Sequence, residues 1–594
     1  MVKKIRVTDY IANRIYELGV KHVFTLTGGG AMFLNDGIAC HPHLKAVCNH
    51  HEQACSQGAV AYSKLKNDFS VVMPTTGCGG TNAITGLLDA WQDNLPCIFI
   101  SGQINKMQTC YNSKTNLRQF GVQEANIVEI VKSITKYSIM VNDPEEIAYH
   151  LDKAFYLSST GRKGPVWIDV PMDVAASFVE PDELKRFKPK KPKKEISNFD
   201  KLKNLFKQSN RPVILAGNGV RLASACKELK DFAEKYNIPV VNTFLGTDLL
   251  DGDNTLKIGT IGIKGTRAAN FAMQNSDLLL VIGSRLGVPV TGYKYEMFAR
   301  DATTVVVDID PAEHKKDTIK IDLFYESDAK DFLSTFKCNH KFSIEWAQQC
   351  FTWKKKWPVI LPEYEDDKGG ISLYYFMKKL GDFLEDDSVV VSDAGSAFYI
   401  TAQALDYKKN QRHITSGAQA EMGFTVPASI GASFAKNKGK VIGITGDGSF
   451  QTNIQELQTI LYHKLPIKTF VLNNNGYLSI RTTQQKFFEG RLIGTDKDSG
   501  VSFPDTKKIA EAYGIKYVIM KDNIDLNKKL TDVIKSNEPI ICEIMCKEKD
   551  KVIPTLSAKK NADGKLISKP LEDMYPFLDR KEFHENMYII PLDE

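Results

Sequence analysis

Short apolar runs of strand length, alternating with helical periodicity and glycine-rich turns, dominate this chain. Residues 441–445 and 469–472 are almost wholly apolar, the pattern of a strand buried on both faces of a parallel sheet. Residues 451–462 between them predict a helix, so the local unit is strand, turn, helix, strand. The same rhythm predicts a helix over 9–18, strands at 23–26, 71–73 and 98–101, and a closing strand within 165–171. It recurs at 278–282 and 304–309, and again at 540–545. This alternation predicts the α/β class, with three doubly wound parallel-sheet domains. The units read as 1–185, 211–345 and 371–550, with a basic linker at 186–210, a second linker at 346–370 and a tail at 551–594. The tail has weak periodicity and turn signals such as Asn561-Ala562-Asp563-Gly564, and is expected to run over the third unit.

Polar residues concentrate where the predicted strands end. Asp447 lies in Gly446-Asp447-Gly448-Ser449, and Asn474 in Asn473-Asn474-Asn475-Gly476-Tyr477. A Gly-Asp-Gly alone is a common surface turn. Here Asp447 and Asn474 are 27 residues apart, at the carboxyl ends of successive parallel strands, which points to one site. One carboxylate, one amide oxygen and a backbone carbonyl near Gly476 make a hard-oxygen ligand set. Completed by phosphate oxygens, such a set suits Mg²⁺. Gly448 is expected to let the backbone approach a phosphate, with the following helix N-terminus favouring its charge.

Composition narrows the classes. At 594 residues and 43% apolar content the chain reads as multidomain globular protein. A net charge of +6, spread along the chain, does not indicate nucleic acid binding. The run from Lys185 to Lys194 reads as a solvated linker. The longest apolar runs are strand-length, so no membrane span is expected. Eleven cysteines without a disulfide rhythm, behind a start that lacks a signal-peptide core, predict a reducing cytoplasm. Cys40, His41, His43, Cys48, His50, His51 and Cys55 invite a zinc reading, but no paired C-x-x-C spacing supports it and the segment from Ala54 to Ala59 reads as a packed helix.

The first unit adds Asn49-His50-His51-Glu52-Gln53-Ala54, then Thr75-Thr76-Gly77-Cys78-Gly79-Gly80-Thr81-Asn82, then Asp93-Asn94-Leu95-Pro96. Gly161-Arg162-Lys163-Gly164-Pro165, Gly265-Thr266-Arg267-Ala268-Ala269-Asn270 and Asp308-Ile309-Asp310-Pro311 follow in order. With the paired turns, these motifs resemble the thiamine-diphosphate-dependent enzymes, and the acetolactate synthases in particular, over nearly the whole chain. The finer likeness is to the acetolactate-synthase-like proteins of bacterial surface-sugar pathways. The resemblance makes 1–185 similar to a pyrimidine-binding domain, 211–345 to a central domain and 371–550 to a diphosphate-binding domain.

It also implies cofactors and roles. Thiamine diphosphate and Mg²⁺ would be held by Gly446, Asp447, Gly448, Ser449, Asn474, Gly476 and Tyr477, with Asp447, Asn474 and Gly476 as metal ligands. Glu52 would bond the aminopyrimidine ring and share its proton. Met422 would sit beneath the bend of the cofactor, and Ala420, where a glycine is common, would offer its carbonyl to the ring. Gly395, Ser396 and Ala397 would touch the far phosphates, Ala397 by its backbone N–H only. Gly29, Thr76 and Asn82 are assigned to cofactor binding, and Gln123 matches an active-site glutamine. The segment from Thr27 to Ala31 would line the substrate entrance.

Departures bear on the substrate. Thr483 stands where pyruvate-pairing enzymes carry a tryptophan, and Val122 where they carry a phenylalanine. Both remove bulk, which favours an acceptor larger and more polar than pyruvate, such as a keto sugar. The family holds a non-redox FAD on its central domain. Arg285 is kept, but Pro289 replaces a second arginine and Lys264 a histidine, so FAD stays open. The expected activity is decarboxylation of a 2-oxo acid with carboligation to a second carbonyl compound. A simple decarboxylase, or a lyase or hydrolase using the same cofactor, remains an alternative; a non-catalytic paralogue is at odds with retention of Glu52 and Asp447. Family precedent implies a homodimer or homotetramer with the cofactor between chains.

Overall fold

The computed structural model describes residues 4–189, 198–560 and 566–592. The basic run at 190–194 and the turn at 561–564 lie outside the described residues. Three six-stranded sheets carry the chain, and every strand pair in them is parallel. The apolar runs fall inside them: Leu278–Ile282 and Ile540–Met545 are strands, and the run at 441–445 lies in strand Val441–Gly446.

In the first sheet the order is Lys45–Cys48, His22–Thr25, Ser70–Met73, Cys97–Gln103, Val166–Pro171, Tyr137–Met140. The third repeats that topology with Arg412–Thr415, Val389–Ser392, Val441–Gly446, Ile467–Asn473, Ile540–Met545 and Lys516–Met520. The chain therefore reverses its winding between His22–Thr25 and Ser70–Met73, and again between Val389–Ser392 and Val441–Gly446. Such a reversal opens a crevice at the carboxyl ends of the two flanking strands. In the central sheet the winding reverses between Pro212–Ala216 and Leu278–Ile282.

The first and third units share one apolar core. It runs from Phe24, Val60 and Phe99 through Phe424, Ile430 and Val471. Two helices made largely of small residues, Glu52–Lys66 and Thr425–Ala435, cross at its centre. Polar contacts reinforce the junction: Lys64 Nζ reaches Asp93 at 2.7 Å and donates to the Thr415 carbonyl at 2.6 Å, all buried. Ion pairs also tie in the central unit. Arg162 meets Asp310 at 2.9 Å and Glu313 at 2.7 Å, and Arg412 meets Asp248 at 2.9 Å.

Three expectations change. The predicted helix over 451–462 begins earlier, with Asp447–Phe450, then tightens to a 3₁₀ turn, Gln451–Asn453, before Glu456–His463. Asn453 sits at the break, its amide spent on the Gly423 carbonyl and the Gln57 side chain. The tail leaves the third unit and docks on the central one. Glu572 accepts from Gln274 at 2.6 Å and pairs with Arg300 at 2.7 Å, while Leu571 and Phe583 join the central core. The stretch read as a linker, 346–370, instead begins inside helix Ile344–Lys356, which packs Trp346 and Trp353 into that same core.

Candidate active site

Asp447 stands at the carboxyl end of strand Val441–Gly446, buried. Its Oδ1 accepts the Gly448 N–H at 2.8 Å, and its Oδ2 accepts those of Asn474 at 3.2 Å and Gly476 at 3.0 Å. Burial pushes the carboxyl up to about 6, against the pull of these three N–H donors. Asn474 is also buried, and its Oδ1 has no hydrogen-bond partner. An unsatisfied buried oxygen is costly unless a ligand answers it. Asp447 and Asn474 thus present oxygens of the kind a hard cation takes. Gly476 is at φ 144°, and a Cβ there would fall 2.2 Å from the Thr495 carbonyl. Arg481 holds the turn from outside, donating to the Asn474 carbonyl at 3.0 Å.

The neighbouring loops lock to this turn. Ser449 Oγ donates to Asp393 at 2.7 Å and accepts the Gly423 N–H at 2.8 Å. Its hydroxyl is therefore spent on holding two loops. Asp393 is the hub that sequence reasoning missed: fully buried, it accepts from Ala394 N–H, Thr445 Oγ1 and Ser449 Oγ. Its sequence signal is its place two residues before Gly395, at the start of the loop assigned to the far phosphates. Gly395 is at φ 58° and opens helix Gly395–Ala404, so Ser396 and Ala397 offer first-turn N–H groups, with the Ala397 methyl in the core. Gly448 also needs its lack of a side chain for packing, since a Cβ there would lie 2.2 Å from the Tyr477 ring. Gly446 is the open glycine, with nothing within 4 Å of its Cβ position.

In the first unit Glu52 opens helix Glu52–Lys66 and is buried; Asn82 donates to its Oε2 at 3.0 Å. Thr76 donates to Gln103 Oε1 at 2.6 Å, and the loop with Gly29 lies against it: a Cβ on Gly30 would be 2.8 Å from Thr76 Cγ2. Gln123, at φ 58°, puts its carbonyl where a Cβ on Gly77 would fall. Sequence reasoning also missed Glu124. Its carboxylate accepts the backbone N–H groups of Phe120, Gly121 and Cys110, which fixes the loop that presents Val122 and Gln123. Burial opposes its charge, but the donors from Phe120 and Cys110 win and hold the carboxyl below its usual value. Among the described residues no three His, Cys, Asp or Glu side chains cluster as a metal site, and His51 caps the Glu52 helix by accepting the Gln53 N–H.

Met422 is 40% exposed and Val122 79% exposed, so both side chains face outward from the single chain. Ala420 adopts φ 49°, a conformation that a glycine takes more easily, with its N–H on the Ser416 carbonyl. Between them Glu421 turns inward to Ser416 and to Gln57 of the first unit. Thr483 lies exposed on helix Leu478–Phe487, where its hydroxyl donates to the Ser479 carbonyl at 2.9 Å. Its donor is thus committed, and only a lone pair is left for a ligand. A crevice of about 190 Å³ opens at the winding reversal of the central sheet, lined by Gly217, Gly219, Ser284, Arg285 and Pro289. Lys264, expected beside them, instead faces a separate cleft with Thr483.

Two α/β units of one strand order, each with a polar loop cluster at its reversal point, are the architecture of a ligand-holding α/β enzyme. The chain belongs to the thiamine pyrophosphate enzyme family. The N-terminal TPP binding domain of that family matches residues 5–137, its central domain 199–336 and its C-terminal TPP binding domain 393–544. The chain is accordingly a thiamine-diphosphate-dependent enzyme. It is similar to the acetolactate synthase large subunit of Lactococcus lactis, 32% identical over 566 residues, covering 94% of this chain and 95% of that protein. The acetolactate synthase large subunit of Cyanidium caldarium is 31% identical, covering 91% of this chain and 93% of its own length. The chloroplastic acetolactate synthase of Arabidopsis thaliana is 30% identical, covering 92% and 82%.

Proposed function

We propose that this chain is a Mg²⁺-dependent carboligase that decarboxylates a 2-oxo acid and joins the remaining fragment to a second carbonyl compound larger and more polar than pyruvate, of the keto-sugar kind. The observation that carries the metal and cofactor assignment is the buried, partnerless Asn474 Oδ1 beside the Asp447 carboxylate. Thiamine diphosphate, when bound, supplies the carbon nucleophile and the electron sink for loss of carbon dioxide.

The chain's own groups do the rest. Asp447, Asn474 and the Gly476 backbone hold Mg²⁺, and the N–H groups at Gly395–Ala397 meet the phosphates. Glu52 shares a proton with the aminopyrimidine ring, held in place by Asn82. Asp393 and Ser449 keep the phosphate loop, the metal strand and the Met422 loop in register. Val122 and Thr483 leave room for the acceptor. The outward-facing Met422 and Val122 support a homodimer or homotetramer whose second chain covers them. No step is assigned to a flavin: the central crevice keeps Arg285, but Lys264 faces the other cleft.

A mass-spectrometric screen of 2-oxo acids against aldehydes and keto sugars tests the activity. The expected product retains the donor fragment without its carboxylate. Release of simple aldehyde with every acceptor tried would reduce the enzyme to a decarboxylase. Mixing Glu52→Gln and Asp447→Ala chains under subunit exchange tests the shared site, because recovered activity requires residues from two chains.

A further inference from the structure

Helix Leu478–Phe487 leads from the Asn474–Gly476 turn into a cleft of about 1370 Å³ between the central unit, the third unit and the tail. Ligand pockets usually span about 300–1,000 Å³, so this space exceeds what two small 2-oxo acids need. Among the described residues six cationic side chains line it: Lys264, Lys294, Lys486, Lys551, Lys569 and Arg580. Among the described residues only two carboxylates, Asp550 and Asp573, stand with them. Asp573 is consumed by Lys569 at 3.0 Å and Arg580 at 2.9 Å, and Asp550 accepts the Leu373 N–H at 2.8 Å. Among the described residues, Lys264, Lys486 and Lys551 have no carboxylate partner.

Lys264 is the telling one. Its ammonium sits 5.9 Å from the centre of the Tyr399 ring, and burial together with the charge of Lys486 pulls it down to about 8. Two like charges facing one cavity without a counter-ion cost stability, and an anion in the cavity offsets that cost. The cleft also exposes aromatic surface, with Tyr293 63% and Phe487 43% exposed, on which a planar ring can stack. Its inner wall touches the phosphate loop, since Ser479 Oγ lies 3.1 Å from a Cβ position on Gly395. Ser479, Thr483 and Lys486 share one helix face. A molecule anchored at the lysines therefore extends along this helix toward the Thr483 end.

We propose that this cleft is the acceptor subsite, and that it selects a carbonyl compound carrying a phosphate or diphosphate group, held by Lys264, Lys486 and Lys551. The proposal rests on the carboligase reading above. A phosphate bonds these amines as a charge-assisted acceptor; a neutral sugar leaves them uncompensated.

The test uses the full-length enzyme saturated with thiamine diphosphate and Mg²⁺, so that the cofactor's own phosphate site is filled. Calorimetry then follows uridine diphosphate, inorganic pyrophosphate, glucose 6-phosphate and uridine. The phosphorylated probes are expected to bind and uridine to fail. Lys264→Gln and Lys486→Gln should each weaken binding about fivefold or more, with the slope against salt reduced. Glucose 6-phosphate and pyrophosphate binding as well as uridine diphosphate identifies phosphate alone as the feature read. Tighter uridine diphosphate adds the base. Failure of every phosphorylated probe, or binding indifferent to both substitutions, overturns the site. Binding needs no turnover, so an enzyme that binds these probes but releases no carbon dioxide from any 2-oxo acid would sink the carboligase reading and leave the anion site standing.

Discussion

A Cβ placed on Gly431 would fall 1.9 Å from the carbonyl oxygen of Gly58, so the helices that join the first and third units meet backbone to backbone. The contact needs glycine for space, not for dihedral freedom. Gly431→Ala must therefore push the two helices apart. A loss of about 1–3 kcal/mol is expected, the usual cost of overpacking a close contact, read as a lower urea midpoint. An unchanged midpoint would show that the junction can yield.

Asn474→Ala removes the partnerless oxygen beside Asp447, and Asp447→Ala removes the carboxylate itself. Both should weaken Mg²⁺-dependent binding of thiamine diphosphate, Asp447→Ala the more severely, because hard ligands at such sites are few. Calorimetry with the apo protein measures this directly. Wild-type affinity in both variants would remove the pair from the metal site.

The strands were readable because a strand buried on both faces shows as an unbroken apolar run, as at 278–282. Asp447 and Asn474 were readable because they follow such runs immediately. Asp393 was not, since its importance lies in bonds to Thr445 and Ser449, more than 50 positions away, that no local pattern records. Glu124 was hidden for the opposite reason: it serves backbone N–H groups, which every residue has. The docking of the tail rests on pairs such as Glu572 with Arg300, and a short aperiodic segment does not announce its partner. Lys264 was associated with the flavin only because it stands where the family carries a histidine, and a family position does not say which cleft the side chain faces.

Glu52→Gln keeps shape but loses the proton-sharing carboxylate. Exchange of the thiazolium proton in the loaded enzyme should slow by roughly 10²–10⁴-fold, the scale of a positioned acid–base group. Asn82→Ala leaves the carboxylate in place without its 3.0 Å donor, and a smaller loss, about tenfold, is expected. Deuterium quench followed by NMR reads both. If the two variants lose equally, Asn82 does more than orient Glu52.

His413 is buried between Ser392 at 2.9 Å and Thr247 at 3.1 Å, and burial lowers its imidazole to about 4. The nearby Asp248 opposes that shift, while Lys64 and Arg412 add to it. The unfolded chain binds a proton near pH 6.5, the folded chain near pH 4, so this group's contribution is complete above pH 6.5 and fades as pH falls toward 4. The full difference is roughly 3 kcal/mol. The stability gap between wild type and His413→Gln should therefore narrow steadily from pH 7 to pH 4.5 in urea titrations. A gap independent of pH would mean that the imidazole does not titrate in this way.

Thr483 faces the large cleft from helix Leu478–Phe487, its hydroxyl already bonded to Ser479. What it contributes is the space a bulkier side chain would fill. Thr483→Trp should exclude a large acceptor sterically while sparing donor decarboxylation, which precedes acceptor entry. The expected pattern is a selective fall in carboligation with carbon dioxide release retained. Because the committed hydroxyl is not the main contributor, Thr483→Val should lose little, within about fivefold, in contrast to the tryptophan. Both steps are measured together by following carbon dioxide and ligated product from one reaction. Equal loss of both steps in Thr483→Trp, or a wild type that prefers pyruvate to every larger acceptor, would falsify the assignment of this cleft to the acceptor.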